Sequence, residues 1–377
     1  MHICYLSSEY PLWQNGGLGS FLQTISRQLV LMGHQVTIVG IGKTDSEVKI
    51  DDKGVQIYRL AHPKFRYFKF YQNIKSINTK LKIIHKKHPI DIVESPEQGL
   101  FLIKKLKEIK YVIRLHGGHH FFAEGENRGV NFWQGLKEKR SFKKADAFIA
   151  VSKYVKIQTS KYLSFNNKPI EIINYPIDLD LFRPMPEVQL EPYNITFVGT
   201  VCEKKGVRQL IEAMPAVLKS FPQVKLNIYG RDWFDVQNRS YIEMLRSKYA
   251  EIIDQYVTFH GSVPFKDIPK CYAKAQICVF PSHVETQGLV APEAMAMGKL
   301  VVFTELGPGK ETIEHMETGL LCNPYDSESI AMQIIWVLKN KKESLVIAKK
   351  GIKFSKQKFN LVHIVNKNLD FYSLLLT

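Results

Sequence analysis

Cysteine is scarce in this chain. Five cysteines, Cys4, Cys202, Cys271, Cys278 and Cys322, are dispersed over 377 residues with no CxxC pair. An odd, scattered set excludes a disulfide framework and points to reduced thiols in a cytosolic protein. Long hydrophobic runs are lacking as well: no stretch reaches the roughly 18 apolar residues of a membrane span. The chain enters a strand at once with HICYLSS, so no signal peptide is expected. The third shortage is acid. There are 36 Asp and Glu against 52 Lys and Arg, a net charge of +16. That excess points to polyanionic partners, namely phosphates, nucleic acid or an anionic membrane surface. Internal repeats and low-complexity tracts are missing too.

What is present is a regular alternation. Apolar β-type runs, HICYLSS, HQVTIVGIG, VQIYRLA, IDIVES, YVIRLHG, AFIAVS and IEIINYP, alternate with helical patterns such as SFLQTISRQLVLMG, which Gly33 closes. Nearly continuous apolar runs suit parallel strands buried on both faces. RPMPEVQLEPY, with three prolines, reads as a linker. The pattern then restarts with ITFVGTV, KLNIYG, VTFHGSV, ICVFPS and LVVFTE. A single core rarely exceeds roughly 250–300 residues, so the expectation is two doubly wound α/β domains facing a cleft. The boundaries expected are 1–184, joined by a C-terminal helix 359–377, and 185–358. Ligands bind at the carboxyl ends of such sheets.

Four motifs follow strands. NGGLGSF (15–21) opens a helix with glycines that let backbone approach a phosphate. RLHGGHH (114–120) puts His116 at a strand end. His119 and His120 read as loop histidines without a role, and three clustered histidines with no cysteine or helical spacing do not make a zinc site. FVGTVCEKKGVRQLIEAM (197–214) carries Lys204 and Lys205 at a helix entrance. There they oppose the macrodipole, a conflict that a bound phosphate removes. HVETQGLVAPEAMAMG (283–298) sets Glu285 and Glu293 on either side of Gly288. Glu293 suits a helix start beside Pro292; Glu285 has no such local reason.

PSHVETQGLVAPEAMAMG resembles the E-x7-E signature of retaining glycosyltransferases of the GT-B fold. This is the large family 4, or group 1, that includes glycogen synthases, sucrose-phosphate synthases and bacterial mannosyltransferases. The glycine loop at 15–21, NYPIDLDLFRP, FVGTVCEKKG, VTFHGSVPFKDIPKCYAKAQICVFPS and GLLCNP resemble the family's other segments in order and spacing. The resemblance implies that Glu285 contacts hydroxyls of the transferred sugar and Glu293 the ribose, a task that suits carboxylates. It implies that Lys205 neutralises the diphosphate after Gly199 and Thr200. Backbone of Gln287, Gly288, Leu289 and Val290 then serves the distal phosphate and sugar. Gly16, Gly17 and Leu18 close on the donor, His116 lies near the reacting sugar carbon, and the base rests on backbone near Ser262 and Val263. Two residues depart from the pattern. Thr200 stands where the family has arginine, and Gln287 where it often has Phe. Arg231, in LNIYGRDWF, is the expected substitute for the missing arginine, with Asp232 or Asp235 as its alternative surface partner.

The resemblance thus implies a retaining, metal-independent hexosyltransferase with no cofactor. It would use a UDP- or GDP-sugar and a glycan or lipid-linked acceptor in envelope or exopolysaccharide synthesis. A sugar-nucleotide epimerase or a non-catalytic nucleotide-sugar-binding protein remains the alternative. Lys64, Arg66, Lys69, Lys75, Lys80, Lys82, Lys86 and Lys87, interleaved with Phe65, Tyr67, Phe68, Phe70 and Tyr71, form either a solvated helix face or a contact for an anionic membrane. No nucleic-acid recognition motif is visible. The expected location is cytoplasmic, peripheral to the inner membrane face if that basic run meets lipid.

Overall fold

The computed structural model describes residues 1–12, 16–62 and 69–377, with Lys69 by its backbone alone. Asn15 of the glycine loop and the basic and aromatic residues 64–68 lie outside the described residues. The chain parts into two compact units, Met1–Pro176 with Leu361–Thr377, and Ile177–Asn360.

Unit 1 runs β1 (His2–Leu6), α1 (Gly17–Leu31), β2 (Gln35–Ile41), β3 (Val48–Asp52), β4 (Val55–Leu60), α2 (Lys69–Lys87), β5 (Ile92–Ser95), β6 (Lys110–Leu115), α3 (His119–Gly125), α4 (Phe132–Lys144), β7 (Ala147–Ala150), α5 (Lys153–Ser160) and β8 (Ile170–Ile172). Among the described residues its sheet has the order β3-β4-β2-β1-β5-β6-β7-β8. The central strands β1, β5 and β7 are buried at every position, as their unbroken apolar runs require. The reversal of strand order beside β1 makes a crevice at its carboxyl end, where α1 begins. α1 turns Phe21, Leu22, Ile25 and Leu29 inward. It stops at Gly33, which takes φ +84 and donates its N–H to Val30 O at 2.9 Å, the left-handed cap that glycine adopts without strain.

β3 is a strand that sequence patterning missed. It pairs antiparallel with β4, Asp52 opposite Val55. The two residues between them, Lys53 and Gly54, both have positive φ, as a two-residue hairpin turn needs.

Unit 2 runs β9 (Asn194–Val198), α6 (Val207–Ser220), β10 (Lys225–Tyr229), α7 (Tyr241–Tyr256), β11 (Val257–Gly261), α8 (Ile268–Lys274), β12 (Ile277–Phe280), α9 (Val290–Ala296), β13 (Leu300–Thr304), α10 (Gly309–Thr312), β14 (Leu320–Cys322), α11 (Ser327–Lys339) and α12 (Lys341–Lys358). Its sheet is parallel in the order β11-β10-β9-β12-β13-β14. The order reverses beside β9, so β9 and β12 bracket the crevice of this unit.

The expected boundary at 184/185 is displaced to 176/177. The proline-rich segment is irregular, yet it does not stand between cores. Its Met185, Val188 and Tyr193 pack against the core of unit 2, which also takes in Phe182 just before it. Prolines report the backbone's irregularity; the apolar residues among them decide which core holds it.

The last helix, α13 (Leu361–Leu376), belongs to unit 1 and packs on α1. Its buried face carries Ile364, Val365, Leu369 and Phe371, and two polar side chains, Asn368 and Tyr372. Arg114 of β6 grips Glu94 of β5 through Nε at 2.7 Å and Nη2 at 3.0 Å, and Nη2 also reaches Asn368 Oδ1. Tyr372 donates to Glu94 Oε2 at 2.5 Å. A buried ion pair is tolerable only when its remaining hydrogen-bonding capacity is met, and α13 supplies part of that.

Candidate active site

In unit 2 the candidate residues all follow strands at one edge of the sheet. β9 is followed by Gly199, whose φ of +150 only glycine adopts readily. A 3₁₀ turn, Glu203–Lys205, leads to Gly206 and α6. Gly206 has φ +72, and a Cβ there would collide with Pro281 O. It heads α6 with no side-chain cap, so the first N–H groups of this 14-residue helix take no side-chain bond from the residue at its cap. Glu203 is held against the first turn of α6 by Arg208 and Gln209, at 2.6 and 2.9 Å, and by Tyr241 of α7 at 2.6 Å. Those bonds hold its carboxyl down to about 2 although burial acts the other way. His283 N–H donates to Lys204 O at 2.9 Å and ties this loop to the chain after β12.

Lys205 and Glu285 meet. The ammonium stands 2.5 Å from Glu285 Oε1, with the two side chains 26% and 8% exposed. The lysine expected to await a phosphate therefore has a protein counter-ion, and the glutamate without a local reason has one 80 residues away. Gly288 follows with φ +75; a Cβ would stand 2.6 Å from Phe303 Cζ and 3.5 Å from Glu285 Cδ. Gln287 is buried and its carbonyl accepts Thr312 Oγ1–H at 3.3 Å, which fixes the turn before Leu289 and Val290. Glu293 lies in the first turn of α9, 7% exposed, and accepts the Tyr272 hydroxyl at 3.2 Å. Burial pushes its carboxyl up to about 8, against the opposing effect of that bond.

Thr200 and Arg231 come off β9 and β10, and their segments are joined by the bond from Val201 N–H to Arg231 O at 2.9 Å. Arg231 is exposed and, among the described residues, makes no ion pair. Neither expected surface partner takes it. Asp232 binds Ser240 Oγ and Ile242 N–H, while Asp235 binds Arg239. Ser262 and Val263 follow Gly261, whose carbonyl accepts Gly230 N–H at 2.8 Å. A cavity of about 350 Å³ lies elsewhere, at the amino ends of β9, β10 and β11, lined by Asn194, Lys225, Asn227 and Tyr256 among others. None of the candidate residues lines it.

In unit 1, Gly16 precedes α1, with φ −161 and no side-chain cap, and Gly17 and Leu18 form its first turn. His116 follows β6. Its Nδ1 lies 2.5 Å from Tyr175 Oη, and its ring also meets Phe21. Burial, and secondarily the Arg114 charge, holds this imidazole well below its ordinary pKa, so it is neutral at pH 7. His119 and His120 are not free loop histidines. They open α3, whose first N–H groups are taken by the buried Glu138.

Residues 192–340 match the family model described as Glycosyl transferases group 1, and residues 15–181 the one described as Glycosyltransferase Family 4. The chain belongs to this glycosyltransferase family. An uncharacterized glycosyltransferase of Methanocaldococcus jannaschii is 26% identical over 397 residues, covering 99% of this chain and 98% of that protein. Sucrose-phosphate synthase from Thermosynechococcus elongatus aligns with a TM-score of 0.86 at 23% identity, covering 99% of this chain and 98% of the other. Anabaena HepE in complex with UDP-glucose aligns at 0.79 and 18% identity, with 99% of each chain covered. At these identities the likeness carries the fold, two Rossmann-like domains of GT-B type.

Several partners of the candidate residues, each within its own unit, were not legible beforehand. Tyr272 serves Glu293, Tyr175 serves His116, and Glu97 and Glu138 hold the loop after His116. Glu138 sits in the basic run LKEKRSFKK, which reads as a surface helix. The available signal was its phase: Gly135, Glu138, Ser141 and Phe142 form the buried face of α4.

Proposed function

We propose that this glycosyltransferase moves a hexose from a UDP- or GDP-sugar to a hydroxyl of a glycan or lipid-linked acceptor. The transfer keeps the configuration of the anomeric carbon, needs no metal, and serves envelope or exopolysaccharide synthesis. The observation that carries the reading is the Lys205–Glu285 pair, an ammonium and a carboxylate 2.5 Å apart beside a turn that admits only glycine. A nucleotide diphosphate would exchange into this pair. Lys205 turns to the phosphates, and Glu285 is released to accept hydrogen bonds from sugar hydroxyls. The N–H groups heading α6, with Gly199 and Thr200, and the backbone of Gln287 to Val290 add neutral donors around the leaving group. Glu293 takes the ribose, and backbone at Ser262 and Val263 the base. From unit 1, Gly16 to Leu18 and His116 serve the transferring sugar, as the family resemblance implies.

In the step itself the bond from the anomeric carbon to the diphosphate oxygen breaks, and a bond to the acceptor oxygen forms on the same face. The acceptor proton passes to the departing diphosphate. No side chain has to act as nucleophile, so the protein's share is positioning and charge stabilisation. HepE, solved with UDP-glucose, supports the donor class. The test is incubation with UDP-, GDP- and ADP-hexoses, with and without an acceptor extract. Label passing to the extract is expected. Conversion of the nucleotide sugar without extract favours an epimerase, and binding without turnover favours a binding-only protein.

We also infer contact with an anionic bilayer through unit 1. α2 contains no acidic residue and exposes Lys75, Lys82, Lys86 and Lys87 beside Phe70 and Tyr71. The neighbouring α4 exposes Phe132 and Trp133, and its Lys137 ammonium lies 4.6 Å from the Phe70 ring centroid. Aromatic bodies among lysines suit a headgroup layer. Sedimentation with anionic vesicles should fall steeply with salt and fall further when Lys82, Lys86 and Lys87 become Gln. Equal binding to neutral vesicles, or none to either, removes this contact.

A further inference from the structure

The loop that presents His116 rests on two carboxyl side chains for which the reaction above has no task. Glu138 of α4 is fully buried. Its Oε1 accepts the N–H of His119, and its Oε2 accepts the N–H of His120 at 3.1 Å and meets His120 Nδ1 at 2.5 Å. Glu97, in the turn after β5, is 4% exposed and accepts the N–H of Gly117 at 2.7 Å. Both converge beneath Gly118. A Cβ there would overlap Glu138 Oε1 and stand 3.0 Å from Glu97 Cγ. Gly117 takes φ +98. Two successive glycines thus lie against two carboxyl groups, and no bulkier residue fits at Gly118.

Such a loop has little rigidity of its own, because glycine gives up more conformational freedom on ordering than any other residue. Its fixity has to come from the groups that bond its N–H hydrogens. Three of the four residues from 117 to 120, namely Gly117, His119 and His120, are bonded in this way. Burial pushes the Glu97 carboxyl up to about 8, and the nearby Glu138 charge adds to the shift. At neutral pH Glu97 is therefore an uncharged acceptor, which spares the site two adjacent buried charges.

We propose that Glu97 and Glu138 are positioning residues for sugar transfer, a two-carboxyl clamp that fixes loop 116–120 and so the direction in which His116 presents its imidazole. The clamp rests on the reading of His116 given above. Neither carboxyl touches the donor. Their effect is on geometry, and a displacement of about 1 Å from far-off groups can lower a rate by about 100-fold.

The experiment compares Glu97→Gln, Glu97→Ala, Glu138→Gln and His116→Ala in the full chain. Hydrogen exchange at the amides of Gly117, His119 and His120 needs no substrate. Glu97→Ala and Glu138→Gln should speed exchange there and leave the strands slow. With the nucleotide hexose that the panel identifies, both should lower kcat by about tenfold or more, as should His116→Ala. UDP or GDP affinity, which depends on unit 2, should be unchanged and also reports that the variants are folded. Glu97→Gln should stay within about twofold of wild type, since an amide oxygen accepts the Gly117 N–H as a neutral acid does. Loss of kcat in His116→Ala with wild-type kcat in Glu97→Ala and Glu138→Gln overturns the clamp and leaves His116 its role. Wild-type kcat in His116→Ala removes that role, and the clamp with it. Unchanged loop exchange in both carboxyl variants overturns the clamp on structural grounds alone.

Discussion

Each unit contains one short-range ion pair of interest, and the two are built on opposite plans. Arg114–Glu94 in unit 1 is closed: its side chains are 0% and 2% exposed, and Asn368 and Tyr372 add bonds to it, while Arg114 Nη1 is buried without a hydrogen-bond partner. Lys205–Glu285 in unit 2 is open: its lysine is a quarter exposed, and it lies at the head of an uncapped helix beside a glycine turn. A closed pair has nothing to exchange with. An open pair has water, and under the proposed function a diphosphate, as competitors for both partners. The difference is between charge that assembles a domain and charge kept ready for a ligand, and each plan is open to experiment.

The largest effect is expected from breaking the closed pair. Removing one partner of a buried pair strands the other, at a cost of about 3–5 kcal/mol. Glu94→Gln and Arg114→Met should each lower unfolding stability by that order in denaturant titrations. Replacing both together with apolar residues should restore much of it, because the stranded charge is gone. Tyr372→Phe should cost less, about 1 kcal/mol, the loss of one hydrogen bond. If the single variants are as stable as wild type, α13 is not held by this network.

Opening the other pair should affect turnover before stability. Glu285→Gln retains shape and loses charge. Losing about 2–3 kcal/mol of contact in the transition state lowers turnover by about 30- to 150-fold. Lys205→Ala should be damaging too, and the double variant less damaging than the product of the singles, since residues in contact are coupled. Strict additivity in that cycle, or wild-type turnover in Glu285→Gln, would mean the two do not share a task.

The same contrast explains what could be read in the sequence. The apolar runs of β1, β5 and β7 are legible because burial on both faces leaves one solution for such strings. Gly288 and Gly206 are legible because positive φ selects glycine. β3 was hidden because VKIDD alternates weakly and its turn residue, Lys53, is an uncommon one for positive φ. Partners at long range leave no local trace. Nothing near Glu285 announces Lys205, and in the basic α4 only the helical phase shared with Gly135, Ser141 and Phe142 marks Glu138 as inward-facing. The roles assigned to Glu285 and Glu293 came from spacing and family resemblance; their surroundings came only with the fold.

Within unit 2, Thr200 and Arg231 differ in the charge they can offer a diphosphate. A diphosphate carries roughly two to three negative charges, and Lys205 is a single counter-charge. Arg231 follows β10, is exposed, and forms no ion pair among the described residues, while Asp232 and Asp235 are occupied by others. A charge-assisted bond contributes about 1.5–3 kcal/mol and a neutral one about half that. Arg231→Ala should therefore slow transfer much more than Thr200→Ala with the same donor. If Arg231→Ala stays within about twofold of wild type, the diphosphate is held by Lys205, backbone amides and Lys204.

The smallest effect expected concerns the proton on Glu293, which lies in the open unit yet is itself buried. Burial pushes its carboxyl up to about 8, so near pH 7 only about a tenth of the molecules carry it ionised. A ribose diol donates to a carboxylate more strongly than to an acid, so binding selects the ionised minority and the apparent affinity is reduced by that fraction. From pH 7 to pH 9 the affinity for UDP or GDP should rise about tenfold, or about 1.4 kcal/mol. Calorimetry at pH 7 in buffers of different ionisation enthalpy should register close to one proton released. The unliganded protein should respond with the opposite sign. A carboxyl whose folded pKa is raised contributes stability that is full below about 4.5, its unfolded value, and lost as pH climbs through about 8. Glu293→Gln should abolish both slopes at once. A pH-independent nucleotide affinity in the wild type would show that the ribose does not bind this carboxylate, whatever holds the base and the diphosphate.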